Sequence, residues 1–150
     1  MNGYLRDTNV ISMLSPSRAD ASAVFLDWLE RMDGKGRVFL SVVTIHEIEK
    51  GIALLEHKGA TAKAAGLKIW LAGLVSAYED KIISLDAAAA AHAGQLQAKA
   101  VSAGHDPGLA HAIIAGIAKA HDLVIVTRNT KHFLPFGGAA SLPDEVAGSA

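Results

Sequence analysis

Asp7 and Glu47, two acids that stand just beyond strand-like segments, set the chemistry this chain can offer. Asp7 ends the run Tyr4-Leu5-Arg6 and is followed by Thr8, Asn9 and the start of a helix. Glu47 comes just after the next strand-like run. Open α/β sheets collect ligands beyond the carboxyl ends of their strands. Two carboxylates arriving there from different strands are hard oxygen donors suited to a divalent cation. A plainer use competes with this one. Asp7 or Thr8 can cap the helix that follows. Thr44 and Glu47 have the spacing of a capping box, a hydroxyl at the N-cap and an acid three residues on.

Composition narrows the classes. A chain of 150 residues with 51% hydrophobic residues buries one good core and reads as one domain over 1–150, with 137–150 as a short tail. The absence of cysteine removes disulfides, zinc–thiolate sites and a cysteine nucleophile. No glycine-rich phosphate loop follows a strand, and no nucleophile elbow is present. A net charge of −1 shows no basic tail, although a local patch on a neutral domain still attracts nucleic acid. Arg6 and Asp7 interrupt the first segment before a signal-peptide core forms. The alanine-rich stretch 86–103 carries His92, Gln95, Gln97 and Lys99, too polar to span a membrane. The expectation is a soluble cytoplasmic protein.

The elements that position the acids alternate. Strand signals cover residues 3–6, 37–43, 81–85 and 123–127, with a short edge strand near 140–142. Helical periodicity covers residues 21–32, the segment after Thr44, then 60–78, 86–103 and 108–121. Solid apolar strands separated by helices predict a parallel sheet with right-handed crossovers. Trp28 and Trp70 lie on apolar helical faces and read as core or dimer contacts. His57 and His121 sit where a histidine meets the carbonyl end of a helix. Lys50, Lys58, Lys63 and Lys68 are either solvated helix surface or a rim that attracts nucleic-acid phosphates.

Three blocks taken together resemble PIN-domain proteins, and among them the VapC-type toxins of bacterial toxin–antitoxin pairs, in their FitB-like subgroup. The first is Asp7-Thr8-Asn9-Val10-Ile11-Ser12. The second is Leu40-Ser41-Val42-Val43-Thr44 leading to Glu47, Ile48 and Gly51. The third is Ala112-Ile113-Ile114-Ala115 followed by residues 123–127, Arg128, Asn129 and Phe133. The resemblance implies a three-layer α/β/α domain around a parallel sheet of four to five strands. It implies an endoribonuclease that hydrolyses RNA phosphodiesters with Mg²⁺ or Mn²⁺. It also implies a homodimer, a cognate VapB-type antitoxin, and a joint assembly that binds operator DNA through the antitoxin. Asp7 and Glu47 match the first two acids. Thr8 and Asn9 match flanking polar positions, and Thr127 and Asn129 match the polar end of the fourth long strand.

One match fails. Where the family has an aspartate before the Ala-Ile-Ile-Ala run, this chain has His111. The implied catalytic set is therefore Asp7, Glu47, His111 and Asn129, with Asp7, Glu47 and His111 as the metal ligands. Three readings of His111 stand open: it disables the site, it retunes it to a softer ion, or Asp106 substitutes for the missing acid. His132 is a second departure, since many relatives carry an acid just before the residue matching Phe133. Arg6 is a third, a guanidinium in a strand expected to be apolar; a salt bridge to Asp7 or Glu47 is its ordinary explanation. Close to two carboxylates, His111 is expected to titrate above its usual value, and the paired acids to raise one carboxyl. The alternative to the enzyme is a catalytically impaired binding protein that still pairs with its antitoxin.

Overall fold

The computed structural model describes residues 2–18 and 20–148. Five strands form one sheet: β1 (Gly3–Arg6), β2 (Val38–Ser41), β3 (Ile82–Ile83), β4 (Leu123–Val126) and β5 (Ala140–Ser141). Their order is β3-β2-β1-β4-β5 with every pair parallel, so β1 is central. Each crossover between the long strands carries helices. These are α1 (Thr8–Ser12) and α2 (Ala23–Gly34), α3 (Val42–His57) and α4 (Thr61–Ala77), then α5 (Ala87–Ser102) and α6 (Leu109–His121), with α7 (Pro143–Gly148) after β5. No helix among the described residues is long and apolar enough to cross a membrane.

Alternation along the strands builds the layers, because neighbouring side chains point to opposite faces. Leu5, Phe39 and Ile125 pack with α5 and α6 through Ala89, Ile114 and Ile117. Tyr4, Val38 and Val126 pack with α2 and α7 through Phe25, Trp28 and Val146. Leu40 joins α3 and α4 through Ile48, Ile52 and Leu71. Trp28 is thus fully in the core, stacked near Phe25 and edge-on to Tyr4, while Trp70 packs at the margin of the α3–α4 cluster.

The α5–α6 contact is close because both faces are small. A Cβ at Gly116 would fall 2.6 Å from the Ala93 nitrogen, the Ala93 Cβ and the Ala89 carbonyl oxygen. Helix propensity alone favours alanine over glycine by about 1 kcal/mol. The clash is with backbone and outweighs it, so Gly116→Ala is expected to lose about 1–3 kcal/mol by overpacking. A urea midpoint at or above that of the parent would show the helices can part freely.

Several boundaries differ from the sequence reading. The second strand stops at Ser41, and Val42, Val43 and Thr44 form the first turn of α3. Thr44 is therefore not an N-cap and no capping box forms; Ser41 takes the cap position without a side-chain cap bond. The third strand is only Ile82–Ile83, and the tail adds α7 beyond its short edge strand. Asp86 caps α5 through the Ala89 N–H, as its position before the alanine run suggests.

Candidate functional site

The site forms at the carboxyl edge of the central strands. Asp7 leaves β1 and is the N-cap of α1, its Oδ1 accepting from the Thr8 N–H at 2.8 Å. The capping reading therefore holds, but it uses only one carboxylate oxygen. Oδ2 accepts from the Thr127 hydroxyl at 2.9 Å. Thr127, just past β4 and fully buried, is saturated in turn: it also accepts the Asn129 N–H at 3.1 Å and, at 3.4 Å, the Asn9 amide. Asn9 returns its carbonyl to the Arg128 N–H at 3.1 Å, tying α1 to the segment after β4.

Glu47 comes to the same place from inside α3. Thr44 and Glu47 are three residues apart on one helical face, so both look toward α1. The Thr8 hydroxyl donates to Glu47 Oε1 in a short hydrogen bond and lies 3.0 Å from Thr44 Oγ1. A hydroxyl has one hydrogen; given to Glu47, it leaves Thr44 as the donor to Thr8. Thr8 therefore joins the two acids, its N–H on Asp7 and its O–H on Glu47.

Electrostatics follow from burial. Asp7 is 4% exposed, and burial pushes its carboxyl above the usual aspartate range. The Thr127 hydroxyl, the Thr8 N–H and the field of His111 pull it back, while Glu47 adds a smaller push upward. The donors on Asp7 are neutral. A buried carboxylate held by neutral donors gains from a cation. His111, half-buried in the first turn of α6, feels both Asp7 and Glu47. Its pKa is nonetheless lowered, not raised: desolvation outweighs the attraction to Asp7, and His132 opposes protonation further. The expected imidazolium is thus replaced by a neutral ring.

His111 lies against His132 in a tilted pair, with ring centroids 4.4 Å apart and 40° between the planes, and meets Phe133 edge-on at 5.3 Å. Asn129 turns its amide to His132 Nε2 at 3.0 Å, while its own N–H braces Thr127. Asp106 is exposed and lines a pocket with His111 rather than contacting the two acids. Among the described residues no three His, Asp or Glu side chains are drawn tightly enough to enclose an ion. The donor set of two carboxylates and a neutral imidazole still suits a divalent ion, because Mg²⁺ keeps most of its waters and needs few protein ligands.

Arg6 does not bridge to Asp7 or Glu47. It is 1% exposed and lies over the Tyr78 ring at 4.7 Å, and the Tyr78 hydroxyl donates to Asp33. Burial lowers its pKa, against the fields of Tyr78 and Asp33, and raises that of Tyr78. Among the described residues, Arg6 Nε and Nη2 have no hydrogen-bond partner. An apolar isostere often matches or exceeds a buried cation in stability. Arg6→Met is therefore expected to leave the urea midpoint unchanged or higher; a large loss would show that the guanidinium stabilises the α2–α4 junction.

Sequence reasoning missed the Thr44–Thr8–Glu47 chain and the Arg6–Tyr78–Asp33 cluster. The i, i+3 spacing of Thr44 and Glu47 was a usable signal for the first, since it fits one helix face as well as a cap. Of the four lysines, all exposed, Lys50, Lys63 and Lys68 lie on helices, Lys58 is the C-cap of α3, and Lys68 pairs with Glu56 at 2.9 Å.

The fold and site define a parallel α/β/α protein with paired acids, hydroxyls and a histidine at the carboxyl edge of its sheet. The PIN domain family matches residues 4–134, and the chain belongs to that family. Plasmid stability protein StbB of Pseudomonas syringae pv. tomato is 32% identical over 130 residues, 86% of this chain and 89% of that protein. The tRNA(fMet)-specific endonuclease VapC of Shigella flexneri is 33% identical over 114 residues, 69% of this chain and 73% of that protein. The crystal structure of FitAcB from Neisseria gonorrhoeae superposes with a TM-score of 0.78 at 30% identity, covering 93% of this chain and 97% of that one.

Proposed function

We propose that this chain is a metal-dependent endoribonuclease toxin of the VapC type, held in check by a cognate antitoxin. The observation that carries the reading is the junction at Thr8, whose N–H and O–H orient Asp7 at the end of β1 and Glu47 on α3. Nucleases of this family generally use a divalent ion, and Asp7 and Glu47 would hold it here, with His111 beside them. Bound there, Mg²⁺ or Mn²⁺ supplies polarisation of the scissile phosphodiester and charge for the leaving oxygen. Thr127 fixes the Asp7 carboxylate, Thr8 fixes Glu47, and Asn9 and Asn129 hold the loop after β4 against α1. Asp7, paired only with neutral donors, ionises more readily once a cation is near.

A neutral His111 contributes a nitrogen donor and no charge, which favours Mn²⁺ over Mg²⁺. The activity of the chain as it stands is therefore low with Mg²⁺. Exposed Val24, Leu26, Leu54 and Ile69 on α2 to α4 give apolar surface for a homodimer and for the antitoxin. In this reading the toxin acts in the cytoplasm, and the joint assembly binds operator DNA through the antitoxin.

The test is cleavage of single-stranded RNA by the purified chain with Mn²⁺, Mg²⁺ or chelator. Cleavage with Mn²⁺ that exceeds the Mg²⁺ rate and stops with chelator supports the enzyme. No cleavage with either ion, together with retained antitoxin binding, favours the second reading, an impaired PIN-domain binding protein, for which the observation is His111 at an acid position.

A further inference from the structure

Three aromatic rings climb from the core to the surface beside the paired acids. Phe133 is buried, His111 is half-buried and His132 is exposed. Phe133 meets His111 edge-on, and the His111 and His132 rings pack tilted, 4.4 Å apart with 40° between their planes. The Asn129 amide, 3.0 Å from Nε2, fixes the outer ring. An exposed ring held in one orientation has already lost the rotamer freedom that binding would otherwise cost. It borders a cavity of about 330 Å³ that His105, Asp106, Lys131 and Pro135 also line. His132 is exposed, and its side-chain hydrogen bond is to Asn129 rather than to either acid.

We propose that His132 is a stacking platform for one base of a single-stranded RNA, placed next to the phosphodiester that Asp7 and Glu47 would serve. The inference rests on the ribonuclease reading and adds where the substrate lies. Every base has a π face, so such a platform grips unpaired nucleotides with little regard to sequence. Base-paired RNA hides those faces, which makes a single-stranded segment the substrate. Pro135 and His105 offer further flat surface in the cavity, Asp106 an acceptor for an exocyclic amine, and the exposed Lys131 a charge for an adjoining phosphate.

The experiment uses the full chain with chelator present, so that cleavage is stopped. Fluorescence anisotropy follows a mixed-sequence single-stranded RNA that carries 2-aminopurine. His132→Ala is expected to weaken binding by about tenfold, within the range seen when a stacking aromatic is removed. His132→Phe should restore affinity to within about twofold, because a phenyl face stacks as an imidazole does. The salt dependence should be the same for both variants, and Lys131→Ala should flatten it. Quenching of 2-aminopurine should disappear in His132→Ala and return in His132→Phe. Unfolding temperatures equal to that of the parent show that the exposed position has not disturbed the fold. Equal RNA affinity for parent and His132→Ala, or failure of His132→Phe to rescue, overturns the platform while leaving metal-dependent cleavage by the parent untouched. A parent that neither binds nor cleaves single-stranded RNA overturns the platform and the ribonuclease reading together.

Discussion

Asp7→Asn is expected to unfold at a higher temperature than the parent while losing RNA cleavage. The two effects have one cause. Burial holds the Asp7 carboxyl above its unfolded pKa. The folded state then binds the proton more tightly, so the Asp7 contribution is most favourable below the unfolded pKa and declines as pH rises through the folded one. At neutral pH the parent carries the full cost of a buried carboxylate, and asparagine does not. Asparagine keeps an acceptor for the Thr8 N–H, so the α1 cap survives; its amide NH₂ cannot accept from the Thr127 hydroxyl, and that lost hydrogen bond offsets part of the gain. A gain of about 1 kcal/mol would move the melting temperature by roughly 2–4 °C in a chain of this size. The gain should shrink toward acid pH, where the parent carboxyl is protonated too. Scans with chelator from pH 4 to pH 8 check the sign; a variant less stable at pH 8 than at pH 4, relative to the parent, would mean that Asp7 is ionised at a net gain. The loss in cleavage should be at least about a hundredfold, equal to roughly 2.7 kcal/mol of barrier.

His111→Asp is expected to act in the opposite direction on activity. The imidazole supplies no negative charge to the cluster, and burial lowers its pKa, which disfavours the protonated ring. A carboxylate there adds a hard donor suited to Mg²⁺. Cleavage with Mg²⁺ should rise by about a hundredfold or more, and the Mn²⁺ preference should narrow. Cells expressing the variant without a partner should stop growing. A third acid in the cluster also brings like-charge repulsion, so the variant should melt lower than the parent in chelator and recover with added metal. Strong Mg²⁺-dependent cleavage by the parent, unchanged in His111→Ala, would place the third ligand elsewhere.

Much of this was legible in local pattern. The strand ending in Asp7, the apolar run of β4 and the alanine row of α5 each carry their period and their cap in a few adjacent residues. The parallel pairing follows from strands joined by helical crossovers, whereas the central place of β1 is a matter of strand order that crossovers alone leave open. The failures have identifiable causes. Val42, Val43 and Thr44 are β-branched and extend an apolar strand, yet tertiary packing makes them the first turn of α3. Pro143 followed by Asp144 and Glu145 was a helix-start signal for α7, with proline at the first position and acids in the first turn, and was passed over in a small, polar tail. The partner of Arg6, Tyr78, lies beyond α1, α2, β2, α3 and α4 in the chain, a separation no local pattern spans. The proton affinity of His111 depends on burial against His132 and Phe133, so an argument from neighbouring charges alone predicts the wrong sign.

The most direct test of the central claim is a titration of the purified chain with Mn²⁺, followed by calorimetry and by the Mn²⁺ electron paramagnetic resonance signal, beside Asp7→Asn and Glu47→Gln. If the two acids joined through Thr8 hold the ion, the parent binds one Mn²⁺ and each single variant loses that binding. Mn²⁺ bound equally well by the parent and by both variants would contradict the account.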